Sequence, residues 1–395
     1  MKISDLKIFF INVGGKTSYG TGNQKNWLLL KIYTDEGVDG IGEAFHGLDE
    51  PIEAAIAKFS RWLTGKDPTK ILHHWQAIYR GLRYPLGTAE LSALSAIEHA
   101  LWDISGKACG LPVYKMLGGP CRDRVRVYAS GYLCQPSHFE KGEDSLVNGA
   151  LSVVERGFTA MKFTPQPDDF QGKSPQQIHV DAVERVRSVR EAVGPDVDIG
   201  LDYHGRSFSP AEAVRLCEAI EPYHPLFIEE PALTEAPESL HEVKMKTRIP
   251  VAGGERCINR STLKDILQKD ALHILQPEPT ANGGILETVK WAAICELYHV
   301  TIAPHHACSP VALAVCGHID SCIPNFLIQE CNVDLQDPLV RECFTTLPRL
   351  EDGYLILSDR PGLGIEFNEA AAEAHPFKPY DRPVIVQPDG AIGLE

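Results

Sequence analysis

Residues 197–204 read Val-Asp-Ile-Gly-Leu-Asp-Tyr-His, a short apolar run that ends abruptly in a carboxylate and an imidazole. The pattern recurs downstream, where Leu226-Phe227-Ile228 runs into Glu229-Glu230-Pro231 and Pro250-Val251-Ala252 runs into Gly253-Gly254-Glu255-Arg256. Runs this short, bounded by turn residues and followed by helical stretches, fit buried parallel strands. Working outward, further runs of this kind are Val125–Ala129, Ala160–Phe163, Ile274–Leu275, Thr301–Ala303 and Phe326–Ile328. Amphipathic helical stretches such as Ile178–Val193 and Ala211–Ile220 lie between them. Eight β/α units predict a closed parallel barrel, with an open doubly wound sheet as the alternative topology.

The chain before this rhythm reads differently. Trp27 to Tyr33 is rich in β-formers, Thr34-Asp35-Glu36-Gly37 supplies a turn, and Val38 to Gly42 resumes, which makes a hairpin. From Pro51 to about Gly110 the spacing becomes helical, most clearly at Leu91, Leu94, Ile97 and Leu101. The breakers Leu117-Gly118-Gly119-Pro120 end that module. The expected division is an α+β domain over 1–122, a (β/α) barrel over 123–337, and a C-terminal segment over 338–395 that packs back on the first domain.

With 53 acidic residues against 38 Lys plus Arg, a net charge of -15 and no concentrated basic patch, nucleic acid is not expected as a partner. No apolar run approaches the roughly 18 residues that a membrane span needs, so no membrane association is expected. The eleven cysteines, odd in number and never in a C-x-x-C pair, lead us to expect reduced thiols in a cytoplasmic setting.

In a parallel barrel the reactive groups sit at the C-terminal ends of the strands. Asp202, Glu229 and Glu255 fall there in successive units, 27 and 26 residues apart. Convergent carboxylates form a hard, all-oxygen site suited to Mg2+; the alternative is three separate strand-end acids bonded to loop amides. His204, two residues after Asp202, is expected to face the same cavity and to exchange protons with a bound substrate. Another unit ends in Ala303-Pro304-His305-His306, beside Gln276-Pro277-Glu278. Glu278 can orient His305 and raise its basicity, whereas His306 reads as structural. Lys162 can neutralise an anionic substrate or pair with a ligand carboxylate. Glu330 can hydrogen-bond a reacting oxygen or simply cap its strand.

Taken together, these motifs resemble the enolase superfamily in its mandelate racemase subgroup, and within it the acid-sugar dehydratases of the galactonate dehydratase type. The likeness extends from Asp35-Glu36-Gly37 and Gly42-Glu43-Ala44 through Ala100-Leu101-Trp102-Asp103 and Leu117-Gly118-Gly119 to the barrel motifs. The resemblance implies a modified TIM barrel under an N-terminal capping domain completed by the C-terminal tail. It implies Asp202, Glu229 and Glu255 as Mg2+ ligands, His204 as general acid, His305 with Glu278 as a dyad, and Glu330 as the last strand's carboxylate. The chain would then be a lyase taking a sugar acid to a 2-keto-3-deoxy acid, and a homo-oligomer. Cap loops at Gly14 to Asn23, with Thr17, Ser18, Tyr19 and Asn23, and at His46 to Asp49 would read the distal end of the substrate. Two departures stand out. The racemases carry Lys-x-Lys where this chain has Lys162-Phe163-Thr164, and the dyad acid is usually Asp where Glu278 stands. The alternatives are an acid-sugar racemase or epimerase and a non-catalytic relative.

Overall fold

The computed structural model describes residues 1–14, 25–131, 145–166, 173–206, 209–379, 384, 386 and 389–393. Thr17, Ser18, Tyr19 and Asn23 of the first cap loop lie outside the described residues.

Three antiparallel strands open the chain: β1 (Ile3–Gly14), β2 (Lys25–Thr34) and β3 (Asp39–Ala44). The β2–β3 turn closes on Gly37, whose φ of 79° a side chain would resist. Helices α1 (Asp49–Leu63), α2 (Ile71–Gly81), α3 (Thr88–Cys109) and the short α4 (Val113–Met116) follow. α3 lies directly on β3, so closely that a Cβ at Gly42 would stand 1.9 Å from the Ala96 carbonyl oxygen. Leu91, Leu94, Ile97 and Leu101 are all buried in the core this creates with α1, α2 and the sheet. α3 is buried along nearly its whole length because its other side faces the barrel.

The barrel strands are β4 (Arg124–Ala129), β5 (Ala160–Phe163), β6 (Asp198–Asp202), β7 (Phe227–Glu229), β8 (Val251–Gly253), β9 (Ile274–Leu275), β10 (Thr301–Ile302) and β11 (Gln329–Cys331). They pair in parallel in that order, and β11 returns to β4. A parallel bridge between Ile302 and Phe326 completes the ring, so the open-sheet alternative does not apply. The outer helices are α5 (Ser145–Glu155), α6 (Pro175–Val193), α7 (Pro210–Ile220), α8 (Pro237–Lys246), α9 (Arg260–Gln268), α10 (Ile285–Leu297) and α11 (Pro310–Cys322). Tyr128, Ala160, Phe227, Ala252, Ile274, Ala303 and Ile328 fill the interior as a cluster of large and small side chains. β6 contributes Gly200 there, where a Cβ would stand 2.6 Å from the Phe227 ring.

One strand differs from expectation. The sequence predicts an eighth strand over Phe326–Ile328, yet the paired strand is Gln329–Cys331. Phe326 serves β10 through a single bridge before the chain crosses to β4, so closure divides the last strand between two partners. Glu330 therefore stands within the strand.

The C-terminal segment contains α12 (Pro338–Cys343), β12 (Phe344–Thr346), β13 (Arg349–Glu351), β14 (Tyr354–Ile356), β15 (Glu366–Phe367) and α13 (Glu369–Ala374). It docks on two surfaces where the sequence reading expects one. β14 pairs antiparallel with barrel strand β4, whereas Glu369 on α13 pairs with Lys31 of the cap at 2.6 Å.

Cap and barrel meet through buried carboxylates aimed at backbone N–H groups. Glu43 accepts from Ser309 N (2.9 Å), Ser309 Oγ (2.6 Å) and Ala312 N (3.0 Å) at the start of α11. Glu98 accepts from Ile285 N (2.8 Å) and Leu286 N (3.0 Å) at the start of α10. Each acid faces the positive end of a helix, where the unpaired N–H groups need acceptors. Asp103 accepts from Ile41 N and Leu363 N, tying the C-terminal segment to the cap.

Candidate active site

The turn after β6 is stitched to the end of β7: Tyr203 N–H donates to Glu229 O at 3.0 Å and Gly205 N–H to Glu230 O at 2.8 Å. His204 and Glu230 adopt positive φ, 53° and 39°, in this turn. Non-glycine residues in such conformations cost about 1–3 kcal/mol each and persist where the surroundings impose them. His204 thus reaches the mouth by a left-handed turn and not by the strand alternation that its spacing from Asp202 predicts. Its Nδ1 lies 3.3 Å from Asp202 Oδ1.

Lys162 ends its side chain among three acids, with Nζ 2.7 Å from Glu229 Oε2, 3.0 Å from Asp202 Oδ2 and 3.1 Å from Glu330 Oε1. Burial opposes its charge, but these carboxylates outweigh burial and hold the ammonium well above its ordinary range. Burial, reinforced by the Asp202 charge, drives Glu229 well upward, whereas His204 and Lys162 overcome burial and hold Asp202 low. Glu229 Oε2 also accepts from Gln276 Nε2 at 2.7 Å, while Oε1 is buried with no hydrogen-bond partner among the described residues.

The second half of the site is a chain of three groups. His305 Nδ1 is 2.6 Å from Glu278 Oε2, and its Nε2 is 3.2 Å from Glu255 Oε2. Glu278 is itself held by Thr280, whose N and Oγ1 donate to its Oε1 at 2.9 and 2.6 Å. Burial alone would lower His305, but Glu255, then Glu278 and Glu330, raise it to about 10. His204 goes the other way: burial lowers it despite Asp202 and Glu255. His306 directs its backbone N–H to Glu330 Oε2 at 3.0 Å and its Nε2 to Ser309 O, a structural arrangement.

All eight residues singled out from sequence surround this mouth, in two sets. Lys162, Asp202, Glu229 and Glu330 form one; His305, Glu278 and Glu255 form the other, with His204 beside Asp202. Among the described residues, no three His, Cys, Asp or Glu side chains converge as a metal-binding group. Lys162 Nζ stands between Asp202 and Glu229, and Glu255 pairs with His305. The donor chemistry fits a hard divalent cation: oxygen donors only, acidic groups in excess of Lys162, and the unpartnered Glu229 Oε1.

Sequence reasoning passed over several groups here. Gln276 anchors Glu229, although it directly precedes the Pro277-Glu278 pair that was noted. Glu230 is bonded by Thr234 Oγ1 at 2.6 Å and faces Arg256 Nε at 3.3 Å. Phe45, from the end of the cap sheet, brings its ring centroid to 6.0 Å from that of His305 and stacks on His46 at 4.4 Å. The turn-forming Gly47 after His46 marks that loop, but nothing in its composition points to the barrel.

Residues 9–118 match the family model described as mandelate racemase / muconate lactonizing enzyme, N-terminal domain, and residues 145–371 match enolase C-terminal domain-like. A D-galactonate dehydratase from Pectobacterium atrosepticum is 37% identical over 375 residues, covering 93% of this chain and 96% of the relative. One from Ralstonia nicotianae is 38% identical with the same coverage. Among solved structures, an enolase from Agrobacterium radiobacter, provisionally assigned as a galactarate dehydratase and bound to sodium and L-malate, superposes with a TM-score of 0.88 at 32% identity. That match covers 100% of both chains. A mandelate racemase/muconate lactonizing enzyme from Jannaschia sp. superposes at 0.86, again at 32% identity and with 100% of both chains covered.

Proposed function

The chain belongs to the mandelate racemase / muconate lactonizing enzyme family of the enolase superfamily, and on that premise we propose that it is a lyase that removes water from a sugar acid. The substrate would be an aldonate such as galactonate or gluconate, and the product a 2-keto-3-deoxy acid. The observation that carries this reading is the His305–Glu278 contact of 2.6 Å, with the other imidazole nitrogen directed into a mouth lined by acids. The names of the dehydratase relatives support it.

A proton α to a carboxylate is too weak an acid for histidine alone, because its loss makes a dianion. Asp202, Glu229 and Glu255 would hold Mg2+, which when bound stabilises negative charge on the substrate carboxylate. Lys162, kept protonated by its acidic neighbours, adds a fixed positive charge beside the same position. His305 Nε2 takes the α proton while Glu278 holds Nδ1 and balances the imidazolium. Glu255 is the largest influence raising His305. Engaged as a cation ligand, Glu255 would raise His305 less and leave it nearer the range of a useful base. His204 delivers a proton to the departing β-hydroxyl. The α C–H and β C–O bonds break, water leaves, and the resulting enol becomes the ketone. Burial lowers His204, and Asp202 and Glu255 oppose it, favouring the protonated ring this step needs.

The experiment is a screen of aldonic and aldaric acids with Mg2+, detecting the 2-keto product with semicarbazide. At least one acid yielding product supports the proposal. A blank across the panel contradicts it, and α-proton exchange in deuterated water without loss of substrate would move the assignment to an epimerase.

A further inference from the structure

Cys121 follows the Leu117-Gly118-Gly119-Pro120 breaker and begins the approach to β4, and its thiol is exposed. Its backbone N–H donates to Ser321 O at 2.6 Å, and its Sγ donates to Cys322 O at 3.4 Å. The next residue, Arg122, donates to the carbonyls of Asp320 and Ile323, on either side of the same two residues. The segment entering the barrel is therefore laced to the last turn of α11. These bonds hold the Cys121 backbone and thiol against the Ser321–Cys322 peptide, the backbone proximity a disulfide needs. Cys322 is half-buried, and its Sγ now donates to Tyr114 O at 3.3 Å. Joining the neighbouring sulfur would require Cys322 to turn about χ1 and give up that weak bond.

We propose that Cys121 and Cys322 are an oxidation site that closes into a disulfide, stapling the exit of the cap to the end of α11. The oxidant is a hydroperoxide. Cys121, the exposed thiol, attacks as thiolate and becomes a sulfenic acid as the O–O bond breaks. Cys322 then displaces the sulfenic oxygen as water, so two thiols lose two electrons and the peroxide is reduced. The bond closes a span of 201 residues in the unfolded chain. A span of that length gives a large entropic benefit to the native state. The start of α11 is already fastened to the cap through Glu43, so the staple secures the other end of the same helix.

The test is treatment of the full-length protein with hydrogen peroxide, then peptide mapping without reductant and a melting curve. The expected results are a linked pair of peptides carrying Cys121 and Cys322, two fewer titratable thiols, and a Tm raised by about 2 °C or more that dithiothreitol reverses. Cys121→Ser should abolish the linked peptide and Cys109→Ser, at the other exposed thiol among the described residues, should leave it intact. In Cys322→Ser, Cys121 should be trapped as sulfenic acid by dimedone. Cys121 recovered unlinked or joined to another cysteine in the wild type would overturn the proposal, as would a linked form that melts lower than the reduced protein.

Discussion

Two regions of this molecule bury glutamates, and they treat them in opposite ways. At the seam between cap and barrel, Glu43 and Glu98 each meet converging donors from the first turn of a helix. At the barrel mouth, Asp202, Glu229 and Glu330 share the Lys162 ammonium, and one oxygen of Glu229 has no hydrogen-bond partner among the described residues. The seam acids are satisfied by the fold. The mouth acids are held together by the fold yet left with charge to spare, which is what a cation or a developing negative charge needs opposite it. Burial alone does not separate structural from functional carboxylates; the crowding of several acids around one cation does.

The largest effect belongs to the mouth. His305→Asn should lower kcat/KM by about a thousandfold or more while leaving the fold intact, measured as 2-keto acid formation and by circular dichroism. Retention of near-wild-type turnover would remove His305 as the base. Stability should separate the two regions next. Glu43→Ala strands donors at the start of α11 and should cost about 2–4 kcal/mol in denaturant unfolding. Glu229→Gln removes surplus charge and, without added cation, should unfold no more easily than wild type. Equal destabilisation by both would erase the distinction.

The smallest effect is a pH dependence at the seam. Burial raises Glu98 to about 7 despite its N–H donors. The folded state then holds this proton more tightly than the unfolded chain, so the contribution is full below about pH 4.5 and is lost as pH rises through about 7. Across that window wild type should lose about 2–4 °C of Tm relative to Glu98→Gln, and parallel curves would mean that the backbone donors keep Glu98 ionised throughout.

Much of the mouth was legible because each apolar run is interrupted at its end by a polar group, as at Leu201-Asp202 and Ile228-Glu229. Strand alternation could not foresee the left-handed turn at His204, which depends on hydrogen bonds to the neighbouring strand. It could not foresee the divided eighth strand either, since barrel closure is a relation between residues far apart in the chain. Glu98 sits in a helix of the cap, spaced like any surface glutamate, and its role comes from a helix that begins 187 residues later. Gly42-Glu43-Ala44 was visible as a motif, but its partner Ser309 was not.

The contrast between the two regions is tested most directly by calorimetric titration of the full-length protein with Mg2+. The account predicts one site per chain in the wild type, lost in Glu229→Gln and preserved in Glu98→Gln. Binding by Glu229→Gln as tight as that of the wild type, or loss of binding in Glu98→Gln alone, would contradict it.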